Sequence, residues 1–298
     1  MKEDEEIRCW FRVSSNRKKI WNIGLWLLEE LKKICKKHNI KYFASWGTML
    51  WSIRHNWFIP WDDDIDILMF REDYEKFINI AEKEFPTHIK IWKHPWWFSQ
   101  VMNINTAALY LNNWWDKDFI WGIRLDIFPV DYASKFKFIN WMKHQILRCL
   151  CVIMSSQKSY WAIDKLEKWK KLLIYPFKSI FEKINFSKVY QLHERISRKT
   201  LFKWENVWSV WFPYRFFPKK IFDKSHDVKF ENTTINIPNW YDVYLKIAYG
   251  NYMKPVIFQW WHDCWYSVDK SYKDIIKWFN KSKSNEYNYS NCKSLFIL

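Results

Sequence analysis

The chain has 298 residues, 48 Lys and Arg against 32 Asp and Glu, and a net charge of +16. Its length is enough for one large domain with a substantial core, and its charge favours anionic partners (nucleotides, phosphorylated glycans, anionic lipid headgroups or nucleic acid) without choosing among them. Six cysteines with no C-x-x-C spacing argue against a zinc ribbon or a dithiol redox motif. The charged start, Met1 to Glu6, lacks an apolar signal core, and the longest apolar run, Phe138 to Met154, is broken by Lys143, His144 and Arg148. A reduced, cytoplasmic setting is therefore expected.

In chain order, Ile20, Ile23, Leu27, Leu31 and Ile34 recur at spacings of three and four, which predicts an amphipathic helix from Ser15 to His38. Asn39 ends it. A strand is predicted over Ile40 to Ala44, then a turn entering a short helix over Gly47 to Arg54. Ile65 to Met69 alternates with acids and reads as a strand. Arg71 to Phe85 reads as a helix with Glu72 and Asp73 in its first turn, where the helix dipole favours them. Strands are predicted at Ile89 to Trp92, Ala107 to Leu111 and Ile123 to Phe128. Residues 134–200 read as basic and mostly helical, 206–262 as short strands and turns ending in a helix over Tyr241 to Tyr252, and the tail after Lys281 as loose. The order of elements indicates an α+β fold.

The composition holds an anomaly, 24 Trp and only 4 Gly, where average usage would give about 21 Gly. Trp stands where turn chemistry is expected, in Asn56-Trp57-Phe58 and Pro238-Asn239-Trp240. This pattern indicates that many Trp stand for Gly, as happens when a UGA codon read as Gly in the source is translated as Trp. Taken as written, Trp46, Trp51 and Trp57 are then expected to splay outward rather than build core.

Asp62, Asp63, Asp64 and Asp66 crowd together after Ile59-Pro60-Trp61. Residues two apart on a strand share a face, so Asp64 and Asp66 point one way, with Ile65 and Ile67 toward the core. Such close carboxylates repel unless a cation lies between them, and hard oxygen donors suit Mg²⁺ or Mn²⁺. A solvated acidic turn is the alternative; flanking Ile65, Ile67 and Leu68 argue against it. A third acid, Asp126, lies in the apolar Arg124-Leu125-Asp126-Ile127-Phe128, where burial without a partner is costly. It could share the metal, serve as base toward an acceptor hydroxyl, or be a core acid paired with Arg124. Asp131 is a weaker candidate. Upstream, Gly47-Thr48 opens the short helix as a phosphate-binding turn, and Arg54 and His55 close it. Thr48 stands 16 residues before Asp64. A Gly-Ser/Thr turn, a short helix, then acid-apolar-acid on a strand is a nucleotidyltransferase pattern.

Residues 42–77 contain S-W-G-T-M-L-W-S-I-R-H-N-W-F-I-P-W-D-D-D-I-D. This block closely resembles the core of the LicD family, which includes the fukutin-type transferases and reads G-G-T-L-L-G-x-x-R-H-x-G-F-I-P-W-D-D-D-I-D. Trp46, Trp51 and Trp57 fall where the family has Gly, and Trp61 where it has Trp. The resemblance continues at Asp126-Ile127-Phe128-Pro129-Val130-Asp131 and returns at Ile237-Pro238, Tyr241, Tyr244-Leu245, Tyr249-Gly250-Asn251-Tyr252-Met253 and His262. It implies a nucleotidyltransferase-like mixed β-sheet core with flanking helices and a helical insertion. It also implies a CDP-activated donor such as CDP-choline, transfer of its phospho-alcohol to a glycan, and release of CMP. By position, Asp64, Asp66 and Asp126 would hold the metal, and Gly47, Thr48 and Arg54 would contact the diphosphate. Asp62, His55, Asp131 and His262 are secondary candidates.

The expected organisation is a catalytic core over 1–133, a basic helical acceptor- or membrane-facing region over 134–205, the C-terminal part of the LicD-like domain over 206–280, and a flexible tail over 281–298. Lys135, Lys137, Lys143 and the lysines between 158 and 171 suggest peripheral attachment to the cytoplasmic face of an anionic membrane, where lipid-linked glycans are met. Two other readings compete: a nucleotidyltransferase adding NMP to a small molecule or nucleic acid, and a basic module binding RNA or membrane. The Ile-Pro-Trp-Asp-Asp-Asp and Tyr-Gly-Asn-Tyr-Met blocks favour the phosphotransferase, so nucleic acid is the disfavoured partner.

Overall fold

The computed structural model describes residues 1–94, 98–110, 120–158, 183–208, 215–254, 264–275 and 277. A small hairpin, β1 (Glu6–Arg8) and β2 (Phe11–Val13), leads into α1 (Ser15–His38). Ser14 caps α1 by accepting the Arg17 amide at 3.2 Å. Asn39 closes it at φ +51°, a left-handed state that Asn tolerates better than bulkier residues. Its apolar stripe, with Leu27, Leu28 and Leu31 fully buried, packs over the main sheet.

That sheet is built from β3 (Phe43–Ala44), β4 (Asp66–Phe70), β5 (Ile89–Lys93), β6 (Ser99–Tyr110) and β7 (Ile120–Ser134), with three later strands. Between β3 and β4 stands α2 (Trp46–Arg54), and α3 (Arg71–Glu84) follows β4 directly. α4 (Lys137–Lys158) and α5 (Phe186–Arg198) pack together beyond the end of β7. The chain then returns as β8 (Lys203–Trp208) and β9 (Phe216–Pro218), forms the hairpin β10 (Ser225–Phe230) and β11 (Thr233–Pro238), and continues through α6 (Tyr241–Tyr249) to β12 (Cys264–Ser267). The central order is β12-β6-β7-β4-β3, with β5 beside β6 and β8 beside β7. Among the described residues only β4 and β7 pair in parallel, with α3 among the elements that connect them; the other described pairs in the sheet are antiparallel. This is the mixed-sheet α+β architecture expected.

Several boundaries moved. β6 begins at Ser99 rather than Ala107, because its polar first half (Ser99, Gln100, Asn103) hides the alternation while the sheet supplies its hydrogen bonds. The expected boundary at 133 falls at the end of β7, where Ser134 pairs with Lys203 of β8, so the chain after the helical region rejoins the same sheet. The 281–298 tail lies outside the described residues. Lys143, counted among the surface lysines, is turned inward. Its ammonium donates to the carbonyls of Ser197 (2.6 Å) and Lys199 (3.0 Å), and burial pushes its pKa down to about 8.

The tryptophans also correct an expectation. Trp46 and Trp51 are each 5% exposed and belong to the main core, while Trp57 packs at its edge. Trp46 lies against Phe217 and Tyr244, and Trp51 stacks on His55 at 4.2 Å. Large rings at these sites find apolar neighbours instead of splaying outward. Nor do the two turn positions demand Gly: Trp240 has φ −97°, and beside Trp57 the left-handed residue is Asn56, φ +61°. Trp46 is different. It opens α2 at φ +40°, in the region that Gly enters freely and a bulky side chain enters at a cost of about 1–3 kcal/mol.

Candidate active site

The acids converge because of strand register. β4 and β7 run in parallel with Asp66 opposite Asp126, and β6 runs antiparallel to β7 with Gln100 opposite Asp126. Opposed residues on neighbouring strands lie about 4.8 Å apart and present side chains to one face. Gln100, Asp126 and Asp66 therefore form a row across three strands. Asp64, two residues before Asp66, joins the same face, while Ile65 and Ile67 are buried in the core. One carboxylate oxygen from each of Asp64, Asp66 and Asp126 lies within 4.8 Å of the others. Asp62, Asp63 and Asp64 form a second such group, so Asp64 belongs to both.

The electrostatics follow from burial. Asp126 is 6% exposed. Burial pushes its carboxyl up to about 7, opposed by Arg124 and reinforced by Asp64. Arg124 Nε stands 3.6 Å from Asp126 Oδ1, beyond hydrogen-bond reach, so it acts as a nearby charge. The paired-core reading of Asp126 is thus present in weakened form beside the cluster. Three crowded acids with only oxygen donors match the ligand set of Mg²⁺ or Mn²⁺, and a divalent ion there would offset both repulsion and burial.

α2 brings the Gly47-Thr48 turn to these acids. The Ser45 amide donates to the Asp66 carbonyl, and the Asp66 amide donates to Thr48 Oγ1, both at 2.9 Å. Thr48 thereby ties the helix to the acid strand. A Cβ on Gly47 would stand 2.9 Å from Ile59 Cδ1 and 3.3 Å from Asp62 Oδ2, so Gly there lets the start of α2 press against the acidic segment. The Asp62 carbonyl accepts from the Trp21 indole (2.9 Å) and from Arg17 (3.2 Å), anchoring this segment to α1.

Other candidates lie apart. Arg54 and His55 sit at the opposite end of α2, about 10 Å along its axis from Gly47. His55 is sandwiched between Trp51 and Trp57, and burial with Arg54 nearby lowers its pKa. Asp131 is five positions along β7 from Asp126, about 16 Å, and grips Arg71 at 2.9 and 2.7 Å. Arg71 also donates to Glu194 of α5 at 2.6 Å, so this buried ion cluster ties the helical region to the sheet. His262 lies outside the described residues.

Gln100 is the residue that sequence reasoning missed. Its Nε2 donates to Asp126 Oδ1 at 2.8 Å, while its buried Oε1 has no partner among the described residues. Nothing in the local sequence marks it; only the register of β6 against β7 does. Tyr244 is fully buried behind α2, its hydroxyl 2.8 Å from Ser45 Oγ at the head of that helix.

A short helix pressed against an acid pair at the start of a strand, with a third acid on the adjacent strand, is the arrangement of a nucleotidyltransferase-like domain. Residues 39–149 match the family model described as LicD/FKTN/FKRP, nucleotidyltransferase domain. It is similar to a lipopolysaccharide cholinephosphotransferase LicD of Haemophilus influenzae, 39% identical over 62 residues, 21% of this chain and 23% of that protein. It is also similar to proteins of Rickettsia prowazekii (43% over 71 residues, 24% of this chain and 25% of the relative) and Rickettsia typhi (41% over 54 residues, 18% of each). The matched stretches thus span a quarter or less of these relatives' lengths.

Proposed function

We propose that the protein transfers a phospho-alcohol, phosphocholine or a close analogue, from a CDP-activated donor to a glycan hydroxyl and releases CMP. The observation that carries this reading is the convergence of Asp64, Asp66 and Asp126 within 4.8 Å inside a domain matched to the LicD family. In this reading those three acids hold Mg²⁺ or Mn²⁺, which supplies neutralisation of the donor diphosphate. The first amides of α2, beside Gly47, bind phosphate oxygens. The acceptor oxygen bonds to the phosphorus that carries the alcohol, the bond from that phosphorus to the CMP oxygen breaks, and a site carboxylate takes the hydroxyl proton. The cholinephosphotransferase relative supports phosphocholine as the group moved and a lipopolysaccharide-type glycan, free or lipid-linked, as acceptor. In this reading the donor is met in the cytoplasm, where CDP-alcohols are made.

The test is incubation with CDP-choline, CDP-ribitol and CDP-glycerol, together with candidate glycans, following CMP. Asp64→Asn or Asp66→Asn should abolish release, and EDTA should do so reversibly. Near-normal turnover in either variant overturns the assignment. Pyrophosphate release from a nucleoside triphosphate, without CMP, would establish the nucleotidyltransferase reading instead.

A further inference from the structure

α4 is apolar on two opposite faces. Its inner face, with Leu147, Cys151 and Met154, packs with Ala133 and Trp208 in a second core. Its outer face carries Phe138 (67% exposed), Trp141 (51%), Met142 (43%) and Ile146 (45%) at helical spacings of three and four. An exposed apolar stripe opposite the buried one marks a surface suited to a partner. Phe138, Met142 and Ile146 keep the stripe apolar even where Trp141 is Gly. The patch continues through Phe136, which meets Phe202 edge-on at 5.2 Å, to exposed Leu201 and Trp204.

The border of this patch is basic. Lys135 lies over the rings of Phe136 and Phe202 at 5.1 and 5.8 Å. Lys137 and Arg148 flank the stripe on α4, and Lys199 and Lys203 flank Leu201 and Phe202; all are exposed. α4 contains no acidic residue, and Glu205 is the one acid of residues 199–205.

We propose that this surface docks onto an anionic lipid bilayer, with the α4 stripe and Phe202 entering the interface and the basic border meeting the headgroups. Exposed apolar and aromatic side chains ringed by Lys and Arg are what such an interface accommodates. A second copy fits less well, because a two-fold contact would set basic border against basic border. The inference rests on this surface alone and stands apart from the transfer reaction.

The test is co-sedimentation of the full chain with vesicles of phosphatidylcholine alone and with about 30% phosphatidylglycerol, at low salt and at about 0.5 M salt. Binding is expected to the anionic vesicles, weakened but not abolished by salt. Lys135→Gln with Lys137→Gln should lower it several-fold at low salt. Phe138→Glu with Met142→Glu should lower it at least about tenfold at both salts, with circular dichroism and Mn²⁺ affinity unchanged. The milder Phe138→Ser guards against a folding effect and should shift binding the same way. Absence of binding to anionic vesicles, or equal binding by Phe138→Glu/Met142→Glu and the parent, overturns the proposal. A concentration-dependent dimer abolished by the same pair would reassign the face to a second copy.

Discussion

Replacing Asp126 with Asn should stabilise the metal-free protein at neutral pH and leave it nearly unchanged in acid. Burial beside Asp64, partly offset by Arg124, raises the Asp126 carboxyl from an ordinary 3.8 to about 7. Between about pH 4 and about 7 the folded protein thus holds a proton that the unfolded chain has released. Folding stability is greatest below this window and falls as pH rises through it. One proton corresponds to about 1.4 kcal/mol per pH unit, so the loss approaches about 4 kcal/mol across the window. Asn keeps the acceptor that Gln100 Nε2 binds at 2.8 Å and carries no charge, so it escapes this loss. The difference between variant and parent should be small near pH 4.5 and reach about 3–4 kcal/mol near pH 7.5. Urea unfolding in EDTA across that range measures it, because every titration outside the Asp126–Asp64 pair is common to both proteins. Mg²⁺ should then stabilise the parent and not the variant. A difference that stays flat with pH would refute the reasoning, since Asp126 would then ionise as an ordinary surface acid.

Gln100→Leu should keep the fold and weaken Mn²⁺ binding about tenfold or more, because an outer hydrogen bond holds Asp126 in place; an unchanged Kd by calorimetry would remove Gln100 from the site. Arg71→Met strands the buried acids Asp131 and Glu194 and should cost about 3–5 kcal/mol in urea unfolding; a loss under about 1 kcal/mol would show that the cluster does not hold α5 to the sheet. We also propose that Trp46, Trp51 and Trp57 are Gly in the native protein, a reading that the φ of +40° at Trp46 favours and the core positions of Trp46 and Trp51 do not require. Mass spectrometry of the native peptide spanning 46–57 decides it, and Trp at all three positions overturns it.

Local chemistry was readable from the sequence wherever a pattern repeats at the period of its own element. The leucine and isoleucine spacing of α1, the acid-apolar alternation at Asp64 and Asp66, and the composition of the Gly47-Thr48 turn each predicted an element that the fold contains. Asp126 could be named from its apolar surroundings, but three readings of it stayed open. What the tertiary structure decided was register. Pairing Asp66 with Asp126 and Asp126 with Gln100 made a cluster of three separate acids, brought in an unmarked glutamine, and left Asp131 five positions down the strand on Arg71. Strand pairing joins residues tens of positions apart through backbone hydrogen bonds that every residue type can make, so the sequence alone carries little trace of which side chains will meet.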